Sequence, residues 1–280
     1  MLPLREMSPG SPTSGWRPGV ACLLAAVLGA CEPTVTVGER FCAQPPGDGA
    51  PAPNPDAAVT APWSTGFEDG FCEYALPMGF CFATGTGSFS LVQSPVHSGR
   101  YAAAFFVNAS FDGGSQVRCV QQGVFPQAAY YGAWYYVPSA AVNSGDWNLL
   151  HYQGGPPGQT LHGLWDVSLV SLADGGLHIA LYDFLTLTTP DAGSVPPIPL
   201  DQWFHIEVYF RRAKDATGEI TMWQDERLAV DLTGLETDDT DWGQWYVGNL
   251  ADALLPATST VYVDDVTIGT NAPGSPESGP

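Results

Sequence analysis

Four residues with ionisable side chains alternate along one short segment of the chain. In the sequence DQWFHIEVYFRRA, every second position is polar, and the four residues are His205, Glu207, Tyr209 and Arg211. Side chains alternate across a β-strand, so these four residues share one face of a strand. Histidine, glutamate and tyrosine transfer protons in catalysis, and arginine neutralises a carboxylate. The segment therefore predicts a strand with one face in the core. Its other face is either a solvated sheet surface or a functional site.

A second segment, WNLLHYQ, places His151 and Gln153 together by the same alternation. We expect this strand to lie beside the 203–211 strand, so that the two polar faces form one surface. Glu207, Tyr209 and His151 are the candidate catalytic residues on that surface. The candidate carbohydrate-binding residues are Gln153, His205, Arg211, Trp134, Tyr136, Trp165 and Trp223.

Short segments rich in aromatic and β-branched residues recur between turn residues, and no long amphipathic helix pattern separates them. They include FSLVQS, YAAAFFV, SQVRCVQQGV, AYYGAWYYV, LWDVSLVSL, LHIALYDF, EITMWQDERLAVDL, QWYVGNL and TVYVDDVTIG. This pattern predicts an all-β domain over residues 63–270, a two-sheet antiparallel β-sandwich of jelly-roll type.

The N-terminal region has the pattern of an export signal. The apolar run from Val20 to Ala30 is too short to span a bilayer and has the length of a signal-peptide core. Its end, LGAC, resembles the bacterial lipobox, which implies a signal peptide over 1–30 and lipidation of Cys31. We expect an exported cell-envelope lipoprotein, and Glu32 favours the outer membrane. Residues 31–62 then form a Pro/Ala-rich tether and 271–280 a disordered tail.

Cysteine usage fits the export pattern of the N-terminal region. In an exported protein the disulfide candidates are Cys42, Cys72, Cys81 and Cys119, and Cys72 and Cys81 are close enough in sequence to form a local pair.

The net charge of the chain limits its partners. Without residues 1–30, which contain two Arg and one Glu, the 9 basic and 29 acidic residues become 7 and 28. Nucleic acid is therefore excluded as a partner, because phosphate binding needs clustered cations. Besides the membrane, reached through the lipid anchor, the expected partner is an extracellular glycan.

Four segments resemble the concanavalin A-like jelly rolls: GFEDG from Gly66, SPVHSGRYAA from Ser94, WFHIEVYF from Trp203 and TVYVDDVTIG from Thr260. That superfamily includes legume-type lectins, laminin G-like modules, glucanases and several polysaccharide lyases. The resemblance covers nearly all of residues 63–270 and rests on the sandwich pattern. It implies one concave sheet whose outward side chains meet a sugar chain.

The resemblance leaves several functions open. A uronate lyase needs a proton-transfer group and a donor for the carboxylate, which His151, Tyr209, Gln153 and Arg211 supply. However, alginate lyases carry Gln-x-His where this chain reads HYQ, and their C-terminal Tyr and Lys motif has no match in TVYVDDVTIG. Hydrolysis needs two carboxylates, and Glu207 has no second acid on its strand face. If the protein is an enzyme, a lyase is therefore favoured over a hydrolase.

Binding without catalysis needs only aromatic faces and a few planar polar groups. We therefore expect a surface-anchored, lectin-like lipoprotein that binds extracellular carbohydrate on a concave sheet. A polysaccharide lyase and a laminin G-like module that recognises another protein remain the alternatives.

Three acidic residues lie near the two ends of the predicted domain. We expect Glu68 to lie in the first strand and Asp264 and Asp265 to lie in the last strand. Carboxylate oxygens suit Ca²⁺, so the pattern predicts a structural calcium site where these strands meet. Because Asp264 and Asp265 are consecutive, we expect them to point to opposite faces and only one of them to ligate with Glu68.

Overall fold

The computed structural model describes residue 56 and residues 58–75, 77–110, 114–189, 195–237 and 240–270. Apart from one 3-10 helix, η1 (Cys72–Tyr74), the regular structure in these ranges is β-strand. The strands are β1 (Trp63–Thr65), β2 (Gly79–Thr84), β3 (Thr86–Val92), β4 (Ala102–Asn108), β5 (Ser115–Val124), β6 (Ala128–Tyr136), β7 (Val142–Asn143), β8 (Trp147–Gly154), β9 (His162–Ser171), β10 (Leu177–Asp183), β11 (Trp203–Arg211), β12 (Gly218–Gln224), β13 (Arg227–Leu235), β14 (Trp242–Ala251), β15 (Leu254–Leu255) and β16 (Thr258–Gly269). Within these ranges, no helix has the length and apolar character needed to cross a membrane.

The strands form two antiparallel sheets that pack face to face. Sheet A has the order β10-β9-β8-β14-β5-β2. Sheet B has the order β13-β12-β11-β6-β16-β4-β3, and β1 also pairs with β16. A short ribbon of β7 and β15 completes the strand pairing of the described residues. The predicted antiparallel β-sandwich of jelly-roll type is confirmed.

The core lies between the inner faces of the two sheets. In β11, Phe204, Ile206, Val208 and Phe210 are all fully buried, as the alternation in this segment predicts. Burying each of these side chains contributes roughly 2–3 kcal/mol of transfer free energy. The intervening residues of β11 must therefore face outward from sheet B, because a one-residue slip would expose the whole apolar set.

The strand order separates the two polar segments that the sequence places side by side. β11 pairs with β6 and β12 in sheet B, whereas β8 pairs with β9 and β14 in sheet A. The predicted adjacency of these segments is wrong, because spacing along a chain does not determine which strands pair. Since the outer faces of a sandwich point in opposite directions, His151 is on the far side of the core from Glu207 and Tyr209.

The disulfide pairing also differs from the local loop considered from sequence. Cys81 is bonded to Cys119, which lies directly opposite it in the β2–β5 pairing. A bond between Cys72 and Cys81 is thereby excluded, although Cys72 is disulfide-bonded as well. The predicted roles of Cys31 and Cys42 lie outside the described residues, as do the leader and the tail.

The folded domain begins before the boundary that the sequence suggests. Val59 is buried in the core, and its N–H donates to the carbonyl of Val124 at 2.8 Å. Ala61 also packs against the core. Residues 59 and 61 therefore belong to the packed domain, although the proline-rich composition assigns them to the tether.

Candidate functional site

A row of side chains runs across four strands on the outer face of sheet A. Tyr246 of β14 pairs with His151 of β8 on one side and with Val120 of β5 on the other. His151 pairs in turn with Asp166 of β9. Directly opposed residues of antiparallel strands have their side chains on the same face, about 4.5–5.5 Å apart at Cβ. The register therefore brings an imidazole, a phenol and a carboxylate together.

His151 is oriented by the carboxylate beside it. Its Nδ1 is hydrogen-bonded to Oδ1 of Asp166, and the two side chains are 14% and 9% exposed. A carboxylate on Nδ1 favours the tautomer that carries the proton there, which leaves the lone pair on Nε2. His151 is therefore arranged to accept a proton through Nε2.

Tyr246 lies in a chain of glutamine side chains. Its hydroxyl donates to Oε1 of Gln244 and accepts a hydrogen bond of 2.6 Å from Nε2 of Gln153. Gln244 donates in turn to Oε1 of Gln122 at 3.0 Å. Burial raises the pKa of Tyr246 to about 12, and the positive charge of Arg118 opposes this shift. The phenol is thus protonated at neutral pH and can donate a proton.

Arg118 of β5 supplies a buried positive charge next to this tyrosine. Its guanidinium carbon lies 5.3 Å from the centroid of the Tyr246 ring, and Nη2 donates to Oδ1 of Asn148 at 2.8 Å. Burial lowers the pKa of Arg118, and the Asp166 carboxylate opposes this shift. An arginine nevertheless stays charged at neutral pH. The site therefore combines one cation with several amide groups.

Aromatic residues flank this row on both sides. Phe80 and Phe82 of β2 form a small apolar cluster with Val120 and Tyr246, separate from the main core. On the other side, the Phe184 ring lies 6.0 Å from the His151 ring. Such rings exclude water beside the polar groups and can contact the apolar face of a sugar.

Together these groups can act on a carboxylate-bearing substrate. Arg118 and the glutamine amides can stabilise negative charge on a carboxylate. His151 can accept a proton, and Tyr246 can donate one from the neighbouring strand. This combination suits proton abstraction beside a carboxylate better than hydrolysis between two acids.

Of the site residues predicted from sequence, the structure places only His151 and Gln153 here. Tyr246, Arg118 and Asp166 were not among them. Two of them could have been found in the sequence. Arg118 is the one charged residue of the segment SQVRCVQQGV, and QWYVGN alternates Gln244 with Tyr246 as HYQ alternates histidine with glutamine.

The other predicted site residues divide between sheet B and the core. On the outer face of sheet B lie His205, Glu207, Tyr209, Arg211, Trp134, Tyr136 and Trp223. The prediction that Trp165 binds carbohydrate is wrong. This residue is fully buried and stacks on Tyr152 in the core, with ring centroids 5.6 Å apart. Asp166, which follows Trp165 in β9, is the residue that faces outward beside His151.

The three acidic residues of the predicted calcium site hold one loop. Oε1 of Glu68 accepts hydrogen bonds from the N–H groups of Arg100 and Tyr101 at 2.7 and 3.1 Å. Glu68 follows β1 instead of lying within it. Asp264 and Asp265 act on the same loop, through the residues just before Arg100.

The expectation that Asp264 and Asp265 point to opposite faces is wrong. Oδ2 of Asp264 accepts from the N–H of His97 at 2.9 Å, and Oδ2 of Asp265 contacts Nδ1 of the same residue at 2.6 Å. A β-bulge in β16 explains this, since the register shifts after Asp264 and Asp265 has a φ of 43°. Among the described residues, no group of three or more His, Cys, Asp or Glu side chains is arranged to hold a metal ion.

Comparisons with known proteins identify the fold. No protein-family model and no curated protein sequence matches the chain. Among solved structures, the endo-β-1,4-glucuronan lyase of the fungus Trichoderma reesei superposes with a TM-score of 0.55 at 14% identity, over 71% of this chain and 93% of that one.

Two further solved structures are similar. The marine PL-14 alginate lyase of Aplysia kurodai gives a TM-score of 0.51 at 12% identity, over 76% of this chain and all (100%) of that one. Cellulose induced protein, Cip1, gives 0.50 at 15% identity, over 75% of this chain and 97% of that one. The chain thus shares its jelly-roll fold with proteins that include polysaccharide lyases.

Proposed function

We propose that the protein is a polysaccharide lyase that cleaves uronate-containing chains at the outer face of sheet A. The observation that carries the proposal is the position of Tyr246, which lies between the His151 imidazole and the Arg118 guanidinium. The His151 and Tyr246 rings are 5.2 Å apart, so a base and an acid can reach neighbouring atoms of one sugar residue.

In the proposed reaction, Arg118 binds the uronate carboxylate and makes the proton on the adjacent carbon more acidic. Nε2 of His151 removes that proton from C5. The electron pair of the C5–H bond forms the C4–C5 double bond while the C4–O bond breaks. The leaving oxygen takes the phenolic proton of Tyr246. The products are an unsaturated uronate and a shortened chain with a free hydroxyl, and no cosubstrate is consumed.

The residues around the reacting pair have roles that follow from their contacts. Asp166 stabilises the imidazolium that forms when His151 accepts the proton. Gln153 and Gln244, which hold the Tyr246 hydroxyl in the free protein, can turn to donate to the carboxylate or to sugar hydroxyls. The His151 proton then returns to Tyr246, which restores the starting state.

The fold of the glucuronan and alginate lyases supports this proposal without specifying a substrate. We also infer that the protein acts outside the cytoplasm as a lipoprotein of the outer membrane, anchored through Cys31. The export pattern of the leader and the Cys81–Cys119 disulfide support that location.

The proposal is tested by incubating the full chain with glucuronan, alginate and polygalacturonate, with a neutral glucan as control. We expect absorbance in the unsaturated-uronate band to grow in step with new reducing ends on at least one uronate polymer. Tyr246→Phe lowers this rate by about 10²–10⁴-fold, the usual contribution of a positioned acid.

Tyr209→Phe is the matched control, because Tyr209 is a tyrosine on the opposite sheet and we expect its loss to leave the rate unchanged. Reducing ends without absorbance would show hydrolysis and overturn the proposal. Saturable uronate binding without either signal would show instead that the sheet A site is lectin-like.

A further inference from the structure

The outer face of sheet B has a gap in an otherwise aromatic surface. On β6, Tyr130 and Trp134 face outward, and Gly132 lies between them without a side chain. The register places Gly132 between Glu207 of β11 and Thr267 of β16. The strand pairing therefore creates a hollow with a glycine floor.

Polar atoms converge on this hollow. A methyl group built on Gly132 would lie 3.1 Å from Nε2 of His205, 3.1 Å from Oγ1 of Thr267 and 3.6 Å from Cγ of Glu207. Two of these distances are shorter than ordinary van der Waals contacts of a Cβ, so the hollow is narrow at its base and a methyl group there would displace its neighbours. Hydrogen-bonding groups surround the hollow on two sides.

The side-chain polar atoms that line the hollow make few hydrogen bonds within the described part of the chain. Glu207 is 8% exposed, and its Oε2 is buried without a hydrogen bond. Neither the His205 ring nor the Thr267 hydroxyl forms a side-chain hydrogen bond with a described residue, although the backbone N–H of His205 donates to Asp225. Leaving a buried polar group unpaired costs about 1–3 kcal/mol, so such a group requires an explanation.

The two titratable side chains that line the hollow are uncharged near pH 6, and the Asp225 and Asp265 carboxylates lie close enough to His205 to oppose the shift of its pKa. Burial raises the pKa of Glu207 to about 7 and lowers the pKa of His205 to about 4, so at pH 6 both side chains are largely uncharged. Tyr130 and Tyr209 face Glu207 from β6 and β11, and Trp223 pairs with it from β12. An anionic sugar finds no cation here, whereas a hydroxyl group can both donate to and accept from these groups.

Aromatic rings frame the same space. Trp134 is held by the His97 ring, whose centroid is 3.8 Å away, and by the His205 ring at 5.1 Å. Trp223 is half-buried on the other side of Glu207. Flat aromatic faces beside hydrogen-bonding groups suit the apolar face and the hydroxyl groups of a sugar ring.

We propose that the hollow over Gly132 binds a neutral sugar residue, which makes the outer face of sheet B a second carbohydrate site. Glu207, His205 and Thr267 bind the sugar hydroxyls, and Trp223 packs on the ring. This site goes beyond the proposed lyase function, since it lies on the opposite sheet and takes an uncharged glycan. It allows one chain to hold a neutral polysaccharide while the sheet A site acts on a uronate.

The proposal is tested by titrating the full chain with cello-, xylo-, manno- and laminari-oligosaccharides at pH 6 and following tryptophan fluorescence and heat. We expect saturable binding of at least one neutral series. Gly132→Ala weakens that binding at least about tenfold, because a Cβ fills the hollow. Gly269→Ala is the matched control, because its Cβ would meet only Cβ of Tyr130, at 4.0 Å.

Trp223→Ala serves as the second variant if Gly132→Ala fails to fold, and it too weakens binding at least about tenfold. Equal affinities of the Gly132→Ala and Gly269→Ala variants, or no binding in any neutral series, would overturn the proposal. Tyr246→Phe separates the two sites: it lowers lyase activity by about 10²–10⁴-fold and leaves neutral-glycan binding intact, so either function can fail without the other.

Discussion

The outer faces of the two sheets carry similar residue types that differ in their side-chain hydrogen bonding. On sheet A, the His151 ring, the Tyr246 hydroxyl and the Arg118 guanidinium each contact a polar side chain. On sheet B, Glu207 and the His205 ring have no side-chain hydrogen bond to a described residue. The reacting groups proposed for sheet A are thus held by side-chain hydrogen bonds, whereas the acid and the imidazole beside Gly132 on sheet B are not.

The hydrogen-bonding state of each site suits a different function. Groups already fixed by partners stabilise developing charge without reorganising, which is what catalysis requires. Unpaired groups gain most when a ligand supplies the missing hydrogen bonds, which is what binding requires. The position of the cation separates the two sites further: Arg118 is buried beside Tyr246 in sheet A, whereas Arg211 of sheet B is exposed and lies four residues along β11 from Glu207.

Removal of the Arg118 cation tests the difference between the two faces directly. Arg118→Gln keeps a donor for Asn148 and loses the positive charge at the carboxylate. We expect kcat/KM on a uronate polymer to fall by about 10²–10³-fold, the usual cost of losing one charge-stabilising donor. Steady-state kinetics by absorbance measures it. Arg211→Gln on sheet B is the control, and an equal loss in both variants would erase the distinction between the faces.

Removal of the Cys81–Cys119 disulfide should affect the sheet A site more than the sheet B site. Cys81 and Cys119 are 38 residues apart, and Cys119 is adjacent to Arg118 in β5. The Cys81→Ala/Cys119→Ala double variant should lose about 2–4 kcal/mol of unfolding free energy, because its unfolded chain is less restricted. This corresponds to a decrease in Tm of about 4–16 °C by calorimetry. Below the new Tm, we expect lyase activity to fall more than neutral-glycan binding, and the reverse order would contradict the assignment of the faces.

Sequence patterns predict the fold well because local alternation and burial are coupled. The segment at β11 reads as one apolar face and one polar face, and the structure buries all four apolar residues. The segment EITMWQDERLAVDL divides into β12 and β13 at Asp225 and Glu226, which both have positive φ values. β1 and β2 were missed, because β1 has only three residues and GFCFAT lacks clear alternation.

The site was predicted less well, because strand order is a long-range property. Tyr246 lies 95 positions after His151 in sequence, yet the two are cross-strand partners in sheet A. The C-terminal segment TVYVDDVTIG forms β16, which belongs to sheet B, so it does not contribute to the sheet A site. A bulge between Asn148 and Leu150 in β8 adds a second difficulty, since it puts both Leu149 and Leu150 in the core.

The pH dependence of stability tests the unpaired acid of sheet B. Burial raises the pKa of Glu207 to about 7 from 4.5, so the folded chain binds more protons than the unfolded chain between these values. Its stability contribution is therefore fully present below about pH 4.5 and is lost as pH rises through 7. Glu207→Gln, which stays neutral, should match the wild type at pH 4.5 or below and exceed it at pH 8 by about 1–2 kcal/mol.

Thermal unfolding at pH 4.5, 6 and 8 measures this difference, which corresponds to about 2–8 °C in Tm at pH 8. The measurement at pH 4.5 is the internal control. A constant difference across the three pH values would show that Glu207 has a different environment, and would remove one support for the neutral-sugar site.

Calcium binding should change stability least. The structure shows three carboxylates near one loop, but no arranged cluster of metal ligands among the described residues. Glu68, Asp264 and Asp265 meet one loop beside sheet B, where His97 contacts Asp265. Asp166 on sheet A has Arg118 near it, whereas these three acids have no arginine or lysine side-chain contact among the described residues. A bound cation would balance their charge. At 1 mM Ca²⁺ and a Kd of about 10⁻⁴–10⁻³ M, typical of extracellular modules, the stabilisation is about 0.4–1.4 kcal/mol.

We therefore expect Tm to rise by about 1–6 °C when 1 mM Ca²⁺ replaces a chelator, and the rise to disappear in Asp265→Asn. Magnesium at the same concentration is the control, since its smaller octahedral shell fits a loop of carboxylates and carbonyls less well. An equal response to both ions would indicate screening of the net charge of −20 and not a site. In that case the hydrogen bonds from the 97–101 loop alone stabilise the three carboxylates. The two faces then differ in how they balance acidic groups: sheet A with a buried arginine, and sheet B with backbone N–H groups and the His97 and Ser98 side chains.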